Sequence, residues 1–69
     1  MDCLEIFSKR LKELRLEEGL TQKQFANKAG LSQSDISAWE LGIRMPFLQG
    51  LVYLAKAYNC SIDYLVGLE

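Results

Sequence analysis

Residues Thr21 to Glu40, TQKQFANKAGLSQSDISAWE, decide the reading of this chain. Thr21 is a good N-cap, and Gln24, three residues on, can return the bond to the cap backbone, so a helix is expected to begin here. Gly30 supplies the left-handed backbone that ends such a helix. Ser32 and Asp35 then repeat the cap spacing, so a second helix starts almost at once. Ala26 puts a small side chain where the two helices must approach closely, and Ile36 with Trp39, three residues apart, turns the apolar side of the second helix inward. Gln33, Ser34, Ser37 and Ala38 are left facing outward, short polar or methyl groups of a size that can lie against base edges.

Working outward, the periodicity predicts five helices and no strands. Asp2 with Glu5 marks a capped start, after which Leu4, Phe7, Leu11 and Leu14 recur at three and four until Gly19. Pro46 marks the entry of a fourth helix, with Leu48, Leu51, Ala55 and Tyr58 expected on one face. Ser61 caps a short fifth helix in which Ile62 and Leu65 point inward. At 69 residues there is room for one core, so residues 1–69 are expected to form a single all-α domain. The N-terminal segment MDCLEIFSK carries two acids and no basic lead into an apolar run, which argues against a signal peptide and for a cytoplasmic chain. No apolar run is long enough for a membrane span.

The pattern resembles the phage-repressor and Cro type of helix-turn-helix, the Xre-like family of transcriptional regulators. The resemblance runs from about Phe7 through LKELRLEEGLTQ, the helix pair, WELGIRMP and LVYLAKAYNCSIDYLVG, nearly the whole chain. It implies a compact five-helix domain whose third helix enters the major groove, and a two-fold dimer on a palindromic site. It also implies that Gln22 touches a phosphate, that Arg44 carries the backbone contact after the third helix, and that Arg15 and Glu40 form an inner ion pair. The DNA-facing set expected on these grounds is Thr21, Gln22, Ser32, Gln33, Ser34, Ser37, Ala38 and Arg44. Tyr64, Val66 and Leu68 are the apolar residues with little chain left to cover them, and so the expected dimer interface.

Charge pulls the other way, because the net charge of −1 contrasts with the strongly basic balance of many DNA-binding domains. The cations are nevertheless grouped: seven lie between residues 9 and 44 against five acids there, an excess of two. Three features depart from the resemblance. Leu41 and Ile43 stand where relatives commonly place polar or basic residues, Phe47 replaces a hydroxyl cap, and Gly50 sits inside a helix, where glycine costs about 1 kcal/mol. The acidic balance and the apolar Leu41 and Ile43 support an alternative, a protein-interaction or antitoxin-like module using the same fold.

An enzyme is disfavoured, since no acid, base, nucleophile or metal constellation stands out. Cys3 and Cys60 lack a CxxC or histidine companion, and the chain contains no histidine, so no metal or other cofactor is expected. Cys60 reads as a packing thiol, and a disulfide to Cys3 is disfavoured in a reducing compartment. No small-molecule ligand is evident.

Overall fold

The computed structural model describes residues 2–69. The elements are α1 (Cys3–Glu17), α2 (Gln22–Ala29), α3 (Gln33–Leu41), α4 (Leu48–Tyr58) and α5 (Ile62–Val66), and the fold is all-α. Capping sets the starts as the sequence expects. Asp2 Oδ1 accepts from the Glu5 amide at 2.9 Å, Ser32 Oγ from the Asp35 amide at 3.1 Å, and Ser61 Oγ from the Tyr64 amide at 3.0 Å. At α2 the box is reciprocal: Thr21 Oγ1 accepts from the Gln24 amide at 3.2 Å, while Gln24 Oε1 accepts from the Thr21 amide at 3.0 Å. Gly30, with φ +76°, ends α2 in the left-handed region, so the α2–α3 turn is only three residues long, Gly30, Leu31 and Ser32.

The helices pack in a closed ring: α1 on α3, α3 on α2, α2 on α4, α4 on α5, and α5 back on α1. The ring encloses Phe7, Leu11, Phe25, Ala26, Ile36, Trp39, Leu54 and Leu65, all essentially without solvent exposure. Ala26 lies in this centre as its small size requires, and Trp39 is core. Phe25 and Tyr58 stack with ring centroids 4.2 Å apart. The buried Tyr58 hydroxyl donates to the Phe25 carbonyl at 2.7 Å, and burial, with Glu18 nearby, pushes the phenol up to about 12.

Trp39 explains the two departures around α4. Its ring meets Phe7 edge-on at 6.0 Å and Phe47 edge-on at 5.3 Å. Phe47 is the N-cap residue of α4 and makes no side-chain cap bond, so its ring packs where a hydroxyl would have capped. A Cβ built on Gly50 would lie 2.6 Å from the Trp39 Cη2 atom, well inside contact distance. Glycine in the first turn of α4 is therefore the seat of the indole, and its low helix propensity is the cost of that approach.

This seat also corrects the expected face of α4. Leu48 is 75% exposed, and the fully buried residue is Leu54, which the sequence reading did not select. The inward face runs through Gly50, Leu54 and Tyr58, with Leu51 and Ala57 packed at its edge. Periodicity alone favoured the bulky Leu48 over a glycine. At the other end of the chain, Arg10 donates to the Tyr64 carbonyl and to the Glu69 carbonyl, and its guanidinium lies 4.6 Å from the Tyr64 ring centroid. Cys3 and Cys60 are free thiols; Cys60 packs at the edge of the core, and burial pushes its thiol up.

The inner ion pair is present. Arg15 Nε donates to Glu40 Oε2 at 2.7 Å and Nη2 to Glu40 Oε1 at 3.0 Å, a two-pronged pair whose side chains are only 13% and 5% exposed. Arg15 Nη1 also donates to the Leu20 carbonyl at 3.1 Å, and Gln22 Nε2 to Glu40 Oε1 at 3.3 Å. One cluster thus ties α1, the α1–α2 connection, α2 and α3 together. The bond to Glu40 raises the Arg15 pKa, burial opposing it.

Two outcomes follow from these contacts. Gly50→Ala is expected to lower stability by about 1–2 kcal/mol net, because overpacking against a fixed indole outweighs the gain in helix propensity. Thermal unfolding followed by circular dichroism reads this as a reduced Tm, with the exposed Gln49→Ala as a control that leaves Tm near the parent. Arg15→Ala and Glu40→Ala are each expected to cost about 3–5 kcal/mol, since either leaves a buried charge unpaired. Chemical denaturation of the singles and the double variant then gives a coupling of about 1–3 kcal/mol, and a coupling near zero would mean that the pair contributes nothing as a pair.

Candidate nucleic-acid interface

The candidate surface is built on α3, whose buried side is held by Ile36 and Trp39 and whose last turn is held by Glu40. With one side so fixed, the opposite side has a defined direction. Gln33 and Ser34 are exposed, and Ser37 and Ala38 are half-exposed behind them. Spacings of three and four residues put Ser34, Ser37 and Ala38 on neighbouring turns, with Gln33 at the leading edge. All four are short or unbranched, so no bulky side chain stands between the helix and a groove floor. Leu41, 70% exposed, continues this row at the C-terminal end.

Around α3 the remaining expected residues divide. Thr21 and Ser32 are exposed, and both hydroxyls are occupied as caps; Ser32 Oγ also lies 3.2 Å from Ser34 Oγ. Their capped N-termini leave α2 and α3 with first-turn amides and a positive dipole end, a favourable setting for phosphate oxygens. Gln22, which the resemblance puts at a phosphate, is half-buried with its amide nitrogen turned to Glu40. One N–H of that amide is spent on Glu40, which leaves its second N–H as a donor beside the carbonyl oxygen, an acceptor. The neighbouring Lys23 is exposed in the same first turn.

Arg44 also differs from expectation. Beyond Gly42, at φ +71°, the chain reverses, and Arg44 Nη2 reaches Asp35 Oδ1 at 2.7 Å. Asp35 therefore spends its carboxylate on Arg44 and not on a reciprocal cap bond. Sequence spacing could not reveal this pair, because it depends on the path of the α3–α4 connection. The same connection carries exposed Ile43, Met45 and Phe47 between Leu41 and Leu48.

At the proposed dimer end, Tyr64 and Val66 are half-buried and Leu68 is 77% exposed. Tyr64 is partly taken up by Arg10 of α1, so the uncovered apolar surface there is narrower than the sequence suggests. No group of three or more potential metal ligands occurs among the described residues, and no described helix is long and apolar enough to cross a membrane.

Comparison with known proteins agrees with this geometry. The family described as HTH_3: Helix-turn-helix matches residues 11–65. Among curated proteins, the HTH-type transcriptional regulator ImmR of Bacillus subtilis is 42% identical over 61 residues, 88% of this chain and 48% of that protein. The uncharacterized HTH-type transcriptional regulator YobD of Bacillus subtilis is 38% identical, covering 91% of this chain and 56% of that protein. The cryptic phage CTXphi transcriptional repressor RstR of Vibrio cholerae is 36% identical, covering 90% and 56% respectively. The chain thus spans about half the length of these curated relatives. Among solved structures, the P22 c2 repressor protein in complex with synthetic operator 9T superposes with a TM-score of 0.85 at 30% identity, covering 93% of this chain and 97% of that one. With the match running from α1 to α5 and both caps of the helix pair in place, this chain belongs to the HTH_3 helix-turn-helix family.

Proposed function

We propose that this chain is a sequence-specific double-stranded DNA-binding transcriptional regulator, of repressor type, that places α3 in the major groove and works in the cytoplasm. The observation that carries this reading is the row Gln33, Ser34, Ser37 and Ala38, turned outward from a helix anchored on its other side by fully buried Ile36 and Trp39. Rigid anchoring matters because base readout needs donors and acceptors held at defined positions. Gln33 is suited to paired hydrogen bonds with adenine, the serines to either donor or acceptor edges, and Ala38 to a thymine methyl. The similarity to a repressor solved with operator DNA supports a DNA-binding role for this fold. No catalytic step, cofactor or small-molecule ligand enters this reading.

A second reading has a specific observation behind it. Leu41, Ile43, Met45, Phe47 and Leu48 form an exposed apolar run, which suits a protein surface better than a phosphate backbone. In that reading the chain is an interaction or antitoxin-like module with weak DNA binding. Binding to mixed-sequence duplex across a salt series separates the two, since a DNA binder loses affinity steeply as salt rises and an interaction module does not.

On the first reading, Gln33→Ala is expected to change preference at one base position by about 1–3 kcal/mol, while Lys23→Ala weakens all duplexes alike and lowers the salt slope by about 0.9. Selection of preferred sequences from a random pool, with folding checked by circular dichroism, measures this. A uniform loss for Gln33→Ala at every base would contradict the assignment. The protein is further expected to act as a two-fold pair on a palindromic site with half-sites about one helical turn apart, Tyr64, Val66 and Leu68 being the contact surface. Footprinting on the selected sequence tests it. Protection of one isolated half-site at saturating protein would end the dimer proposal.

A further inference from the structure

Each arginine of this chain is engaged within the protein: Arg10 by the Tyr64 and Glu69 carbonyls, Arg15 by Glu40, and Arg44 by Asp35. The first two are structural ties between helices. Arg44 is different, because its side chain is 54% exposed and Asp35 is its single hydrogen-bonded partner among the described residues. Asp35 occupies the first turn of α3, where the helix dipole favours a carboxylate, beside the outward Ser34. A cation at the edge of the candidate interface is thus held by an anion on the reading helix itself.

We propose that Asp35 is a specificity determinant that acts by retaining Arg44, so that this arginine does not neutralise a phosphate on non-specific duplex. The inference rests on the DNA-binding reading above. Non-specific affinity comes from phosphate neutralisation, and every phosphate contact adds about 0.9 to the slope of log affinity against log salt. An unpaired arginine at the groove edge would bind any sequence equally. Arg44 must instead exchange one anion for another of the same charge, with little net gain. An exposed pair of this kind is weak enough to exchange, its strength corresponding to a factor of up to about five. Retention lowers the background without removing any group that reads bases, and the ratio of specific to non-specific binding governs site occupancy in a genome.

The test compares the parent, Asp35→Asn, Arg44→Gln and the double variant on a mixed-sequence duplex between about 50 and 200 mM salt. The Ser32 cap bonds the backbone amide of residue 35, so Asp35→Asn keeps the helix start. Asp35→Asn is expected to bind the duplex up to about fivefold more tightly, with a slope steeper by about 0.9. Arg44→Gln then removes about 0.9 of slope in the Asp35→Asn background and only a small fraction of that in the parent. Equal losses in the two backgrounds would show that Arg44 already neutralises a phosphate and would overturn the proposal. An unchanged slope in Asp35→Asn would do the same. Elution from immobilised heparin separates this failure from failure of the DNA reading. If no variant binds duplex, later elution of Asp35→Asn that Arg44→Gln reverses upholds the retention, whereas an equal shift by Arg44→Gln in both backgrounds refutes it.

Discussion

The arrangement turns on the approach of the Trp39 indole to the backbone of Gly50. Trp39 is the largest fully buried side chain, and it stands on the helix that carries the candidate interface. Seating it requires a residue without a Cβ in the first turn of α4, an edge-on Phe7 from α1 and an edge-on Phe47 at the α4 cap. Its burial therefore orients α3 against α1 on one side and α4 on the other. Close packing makes that orientation stiff, since even one extra carbon at Gly50 has no space. The aromatic contacts explain why α4 starts without a hydroxyl cap and why Leu48 turns out to solvent.

A second constraint lies at the opposite end of α3. The Arg15–Glu40 pair, joined by Gln22 and the Leu20 carbonyl, closes a polar knot across three helices. Such a knot contributes specificity of arrangement as well as energy, because a bidentate guanidinium accepts few alternative geometries. It also entangles two kinds of failure. Gln22 and Glu40 are adjacent in space to the candidate interface, yet their hydrogen bonds serve the fold. Loss of DNA binding on mutating either would carry no information about contact unless stability were measured alongside.

Electrostatics here is a matter of placement, not of total charge. A net charge of −1 leaves little general attraction for a polyanion. Arg15 is spent on Glu40, Lys28 lies 3.5 Å from Glu18, and Arg44 is held by Asp35. What remains near the helix pair is Lys23 together with the amide-rich starts of α2, whose capping box is reciprocal, and of α3, capped by Ser32 alone. Local dipoles and single cations suit a protein whose affinity is meant to depend on fit.

Helix starts, helix stops and the outward face of α3 were legible in the sequence because they depend on neighbours within four residues. Thr21, Ser32 and Ser61 cap where their spacing predicts, Gly30 ends α2, and Ile36 with Trp39 turns inward. The Arg15–Glu40 pair was anticipated through resemblance to a family, and no rule of spacing would have joined residues 25 apart. Three features were settled by tertiary structure alone. The inward face of α4 follows Gly50, Leu54 and Tyr58 because the indole needs a glycine, whereas periodicity ranks side chains by bulk. Gln22 turns to Glu40, and Arg44 to Asp35, because the chain path brings those partners within hydrogen-bond range. Local pattern determines which residues can cap, bury or bind; which of them are free to do so depends on the partners that folding delivers.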